Sequence, residues 1–138
     1  MGYTHYWSRD KAEIPLPLWR KAIAKIRPIL EQNAEILEDV EVTDSVVFFN
    51  GQCETFVMPR IATPGCDETR TLGNMGDFCK TGERDYDPVV VACLVIFTST
   101  FKGTPVGFTW ASDGKWPKDH ESGLKLSGLP ALEAVGPC

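Results

Sequence analysis

The residues best suited to chemistry lie in the stretch Phe78-Cys79-Lys80-Thr81-Gly82-Glu83-Arg84-Asp85-Tyr86-Asp87. It sets Lys80, Thr81 and Arg84 just ahead of a segment whose pattern predicts a helix. Unpaired N–H groups and the positive end of the helix dipole favour an anion at such a start. Lysine and arginine add charge-assisted donors for phosphate or carboxylate. The plainer alternative is a solvated charged turn in which Asp87 only caps the helix. A second group is Tyr3-Thr4-His5-Tyr6-Trp7. Aromatic rings on a strand can stack on a base or another flat ligand, although core packing is their commoner use. His5, Tyr6 and Trp7 enter the candidate set on that ground. Arg60 can close over an anion, as can Arg70, for which a plain surface role is the better reading. Asp113 completes the set; with Glu54 it would form a carboxylate pair, but turn chemistry alone also accounts for Asp113-Gly114.

Nucleophilic catalysis has little support. Cys79 beside Lys80 invites a lowered thiol pKa, with His5 or His120 as its base. No elbow motif, acid pair, P-loop or dinucleotide glycine pattern accompanies it. The expectation is a non-catalytic protein, with no metal and no cofactor.

The elements that must position these residues follow from periodicity. Tyr3 to Ser8 alternates as a strand, with Tyr3, His5 and Trp7 on one face. A helix begins near Pro17, with Trp19, Ile23, Ile26 and Leu30 as its apolar stripe, and Pro28 should kink or end it. The acidic stretch Glu35 to Asp44 leads into two strand-like runs, Ser45 to Asn50 and Glu54 to Met58. Asn50-Gly51 between them marks a hairpin, because both residues tolerate positive φ. Both faces of the first run are apolar, which predicts an interior strand covered on both sides. Pro59 to Asp77 reads as a long binding loop, lid or insert. Asp87-Pro88, the apolar run to Phe101 and Gly103 predict a buried helix. Val106, Phe108 and Trp110 form the bulky face of a last strand, and the tail holds a short helix near Leu124 or Ala131. The order β-α-β-β-α-β predicts an α+β fold in one domain over 1–138. Its form would be an antiparallel sheet of about four strands with two main helices, compatible with a ferredoxin-like arrangement.

At 138 residues the chain can bury a sizeable core without disulfides or metals. Its net charge of -5 argues against sequence-independent nucleic-acid binding. The five cysteines show no CxxC spacing and read as free thiols of a reducing cytoplasm. The longest apolar run is too short to span a bilayer.

The opening Met1-Gly2-Tyr3-Thr4-His5-Tyr6-Trp7 resembles the start of a family of small, mostly uncharacterised proteins of bacteriophages and prophages. The resemblance continues at Phe49-Asn50-Gly51, Glu54-Thr55-Phe56, Phe78-Cys79-Lys80-Thr81, Tyr86-Asp87 and Ser112-Asp113-Gly114. It departs at Glu83, where family members carry a basic residue, leaving Lys80 and Arg84 as the charge carriers. The resemblance implies a phage accessory protein acting in the host cytoplasm. Small phage proteins of this kind often counter bacterial defence by sequestering a nucleotide-derived signal; the candidate set read from the residues, His5, Tyr6, Trp7, Arg60, Lys80, Thr81, Arg84 and Asp113, would then hold a small anionic, nucleotide-like ligand. The alternatives are a protein–protein inhibitor of a host defence factor, for which the acidic stretch is the natural surface, and a nucleotide hydrolase. A homo-oligomer is compatible with either binding reading.

Overall fold

The structure is a computed structural model that describes residues 3–62, 76–129 and 136–137. Its strands are β1 (Thr4–Ser8), β2 (Glu38–Val42), β3 (Val46–Asn50), β4 (Phe56–Pro59), β5 (Asp77–Lys80) and β6 (Thr109–Ser112). Its helices are α1 (Leu16–Gln32), α2 (Asp87–Phe101) and α3 (Glu121–Ser127). The chain is therefore α+β, as the periodicity predicts. The expected single sheet is instead two three-stranded antiparallel sheets, ordered β5-β1-β6 and β2-β3-β4, so the ferredoxin-like order is matched only loosely.

Two strands account for the difference. β2 lies inside the acidic stretch, and its residues are almost all exposed because it is an edge strand. Charge on such an edge discourages pairing with other chains and hides the apolar alternation that marks a strand. β5 is the Phe78–Lys80 segment, which pairs with β1 in the register His5↔Cys79 and Tyr6↔Phe78. A strand of four residues is too short to show a period.

α2 runs from Asp87 to Phe101 and is apolar around most of its circumference, so it is the central helix of the molecule. α1 packs against it through the expected stripe, with Trp19 stacked on Phe97 at 5.5 Å. Pro28 does not end α1, which continues to Gln32. The cost is the hydrogen bond that a residue 28 N–H would make, and burial of Ile29 and Leu30 beyond it offsets that loss. α3 reaches α2 because residue 123 is glycine: a Cβ there would stand 2.4 Å from a methyl of Val91. Trp7, Phe49 and Phe56 join the sheets, with ring centroids 5.0–5.1 Å apart.

β3 and β4 form the expected hairpin, with Phe49 opposite Phe56. Val47 and Phe49 are buried, whereas Val46 and Phe48 are only half-buried, so one face of β3 is covered rather than both. Neither Asn50 nor Gly51 takes a positive φ. Gly51 is needed for another reason: a Cβ would fall 2.2 Å from the ring of Tyr86. Val106, Phe108 and Trp110 are buried as their alternation predicts, although only Thr109–Ser112 pairs as β6. Arg70 and most of the long loop lie outside the described residues, as do Cys66, Ala131 and Cys138.

Candidate functional site

A cleft of about 350 Å³ opens where the start of β1 meets the start of α2 and the turn leading into α3. Its walls include Tyr3, Glu83, Arg84, Asp85, Asp87, Asp119, His120 and Ser122. The volume falls at the small end of the range for ligand pockets, about 300–1,000 Å³.

Behind the cleft runs a polar network. His5 is fully buried on β1. Its Nε2 lies 2.7 Å from Asp87 Oδ1, and its Nδ1 lies 2.9 Å from Ser112 Oγ. Thr81, also fully buried, donates its hydroxyl to the same Asp87 oxygen. Ser112 Oγ in turn lies 2.9 Å from His120 Nε2 and accepts the Gly114 N–H at 3.0 Å. One carboxylate, two imidazoles and two hydroxyls thus tie β1, β6, α2 and the turn before α3 together.

Ser112 Oγ is the hub of this network: it stands between the two imidazoles and accepts the Gly114 N–H, and the tautomer of each ring sets which of them it donates to. His120 is buried beside it. Burial pushes the His120 imidazole below the ordinary histidine range and nearby His5 adds to the effect, while Asp87, Asp119 and the Lys115 carbonyl oppose it. At Tyr3, burial pushes the phenol up; the Asp87 charge acts in the same direction, and the Ser112 hydroxyl opposes it.

Asp87, His5 and Ser112 have the composition of a hydrolytic triad, but the geometry is that of a strut. Ser112 Oγ is shared among His5, His120 and the Gly114 N–H, and Ser112 is not among the residues that line the cleft. Cys79 is no better placed. It points into the core, and burial pushes its thiol up to about 12, the reverse of the lowering that Lys80 was expected to bring.

The cleft gathers only part of the predicted set. Arg84 lines it; His5 and Thr81 stand behind it in the network. Trp7 is a core residue against Phe56. Tyr6 is 44% exposed on the outer face of β1, and Lys80 is exposed at the end of β5. Lys80 offers its backbone N–H to Glu54 Oε1, at 2.6 Å. Arg60 donates to the carbonyls of Asp44 and Ile14, holding the end of β4 to the chain before α1. Asp113 accepts the Thr4 N–H at 3.0 Å. Glu54 and Asp113 therefore serve opposite sides of β1 and form no pair.

The expected anion cradle at α2 is also used up. Asp87 N–H bonds to the Arg84 carbonyl, Pro88 has no N–H, and Val89 and Val90 both donate to the Tyr86 carbonyl. Asp87 makes no side-chain cap, because its carboxylate is turned to His5 and Thr81. Four carboxylates and one guanidinium line the cleft.

Sequence reasoning leaves Tyr3 of the aromatic group out of the candidate set and misses Asp119, His120 as a cleft residue and Ser112 as the hub. It also missed Arg9, which is 3% exposed and donates to the Pro59 carbonyl at 2.6 Å and the Ala12 carbonyl at 3.0 Å. Burial brings the Arg9 guanidinium down to about 10. Among the described residues, no group of three or more potential ligands could hold a metal ion, and no helix is long and apolar enough to cross a membrane. Comparison of the chain with protein-family models, curated proteins and solved structures gives no match.

Proposed function

We propose that the chain is a non-catalytic binding protein that retains a small molecule in the cleft between Tyr3, Arg84 and His120. The observation that carries this reading is the cleft of about 350 Å³ that has Tyr3, Arg84 and His120 on its wall. The three polar partners that hold Ser112 and the raised Cys79 thiol both favour retention over turnover. The resemblance to phage accessory proteins supplies the setting, sequestration of a host signal. Of the anionic, nucleotide-like ligand expected for it, the cleft offers Arg84 for charge and Tyr3 for a ring.

The experiment is mass spectrometry of small molecules released by heating protein purified from a bacterial host. The expected result is one intact species in stoichiometric amount. Ser122 is an exposed cleft residue, so Ser122→Trp should abolish retention without lowering the unfolding midpoint. Equal retention by that variant, or recovery only of cleaved product, defeats the reading. A second reading rests on β2, an exposed edge strand carrying Glu38, Asp39 and Glu41 that suits a basic protein partner. A stoichiometric host protein captured equally by Ser122→Trp would favour it.

A further inference from the structure

We propose that the outer face of the β5-β1-β6 sheet binds single-stranded nucleic acid, with two successive bases stacked on Tyr6 and Phe78 and a phosphate of the strand held by Lys80. This face is separate from the cleft and goes beyond the role given to it. Among the described residues only four large apolar side chains are exposed, and two of them, Tyr6 at 44% and Phe78 at 41%, stand side by side. The register explains the pairing: Tyr6 lies between Phe78 on β5 and Ala111 on β6. Side chains alternate along a strand, so His5, Trp7 and Cys79 turn to the core while Tyr6, Phe78 and Lys80 turn outward. From β6, Ala111 brings only a methyl toward Tyr6. The next row of the same face is Ser8 and Thr109, whose hydroxyl oxygens lie 3.4 Å apart.

Ring geometry and charge together select the occupant. The Tyr6 and Phe78 ring centroids are 6.5 Å apart, with planes tilted by 45°. Bases in a duplex are stacked about 3.4 Å apart and show only their edges in the grooves, so they cannot lie on either ring. The splayed bases of a single strand offer their faces, and aromatic side chains on an open sheet hold them by stacking. Lys80 is exposed two residues beyond Phe78 on the same face and, among the described residues, makes no ion pair. It supplies the charge that complements one phosphate. The carboxylates of Asp77, Glu54 and Asp113 are turned to the backbone N–H groups of Phe78, Lys80 and Thr4. A net charge of -5 argues against a broad basic track, so stacking carries most of the affinity and one phosphate contact the rest. The salt dependence is then shallow, with log K falling against log[salt] at a slope of about −0.7.

Fluorescence anisotropy of a short labelled oligodeoxythymidine mixed with the full chain tests the proposal. The single strand should bind with that shallow salt slope, and a duplex of the same length about tenfold more weakly or worse. Tyr6→Leu and Phe78→Leu should each weaken binding by at least about fivefold, the loss of one base stack, without moving the urea midpoint. Tyr6→Phe and Phe78→Tyr should keep it, because each retains a ring. Lys80→Ala should flatten the salt dependence, and Ser122→Trp in the cleft should bind as the unaltered chain does. Absence of saturable binding below about 1 mM would overturn the proposal. Equal affinity for the duplex, or binding unchanged in both leucine variants, would do so as well. A dimer that Tyr6→Leu dissociates, found in place of oligonucleotide binding, would instead make this face a contact between copies of the chain.

Discussion

Replacing Asp87 by alanine separates two views of this residue. As a residue of the first helical turn it would contribute through the α2 dipole, about 0.3–1 kcal/mol. In the structure it does more: one carboxylate oxygen accepts from the buried His5 ring at 2.7 Å and from the buried Thr81 hydroxyl. Hydrogen bonds to a charged group contribute about 1.5–3 kcal/mol each, and removal strands two buried donors. Asp87→Ala should therefore cost about 3–5 kcal/mol, a large part of the 5–15 kcal/mol typical of a domain. Asp87→Asn keeps an acceptor and should cost about half as much. Urea unfolding at neutral pH measures both, and Asp85→Ala, exposed two residues earlier, should stay within about 0.5 kcal/mol. A double-mutant cycle with His5→Ala should return a coupling of at least about 1.5 kcal/mol. A loss below about 1 kcal/mol that adds independently to that of His5→Ala would refute the network and restore the dipole view.

Three further outcomes follow from the same geometry. Gly51→Ala should destabilise by about 2–4 kcal/mol, because the new methyl would meet the Tyr86 ring, whose hydroxyl is held at 2.6 Å by the Glu54 carbonyl; urea unfolding checks this, and Tyr86→Ala should relieve much of the effect of the added methyl. Cys79 and Cys93 are buried with raised thiol pKa values, so they should resist alkylation at pH 8 until the chain unfolds, while exposed Cys53 reacts; peptide mass spectrometry reads the difference. The His120 imidazole is depressed in the folded state, so its contribution is complete above the unfolded value of about 6.5 and is lost as pH falls through the folded one. Unfolding free energy should therefore drop between pH 7.5 and pH 5, and the drop should shrink in His120→Gln.

What could be read in the sequence was whatever repeats. The α1 stripe, the β3–β4 hairpin, the Asp87–Phe101 helix and the buried face of Val106, Phe108 and Trp110 each rest on a period or a punctuation residue. β2 and β5 escaped because one is an acidic edge and the other is four residues long. Pro28 misled because its local penalty is smaller than the burial gained by carrying α1 onward. Asn50-Gly51 predicts a turn through its tolerance of positive φ, but the ring of Tyr86, far along the chain, is what requires a glycine at 51.

The candidate site divides along the same line. Lys80, Thr81 and Arg84 are sequence neighbours, yet β5 ends between them, so Lys80 faces solvent, Thr81 faces the core and only Arg84 reaches the cleft. Adjacent side chains on a strand point to opposite faces, and a cluster in sequence is therefore no cluster in space. The cleft is instead assembled from Tyr3, Arg84 and His120, brought together by the pairing of β1 with β5 and β6 and by the close approach of α3 to α2 at Gly123. His120 shows no local signal at all. Its place in the site comes from Ser112, which it meets at 2.9 Å only once β6 and the turn before α3 are folded together.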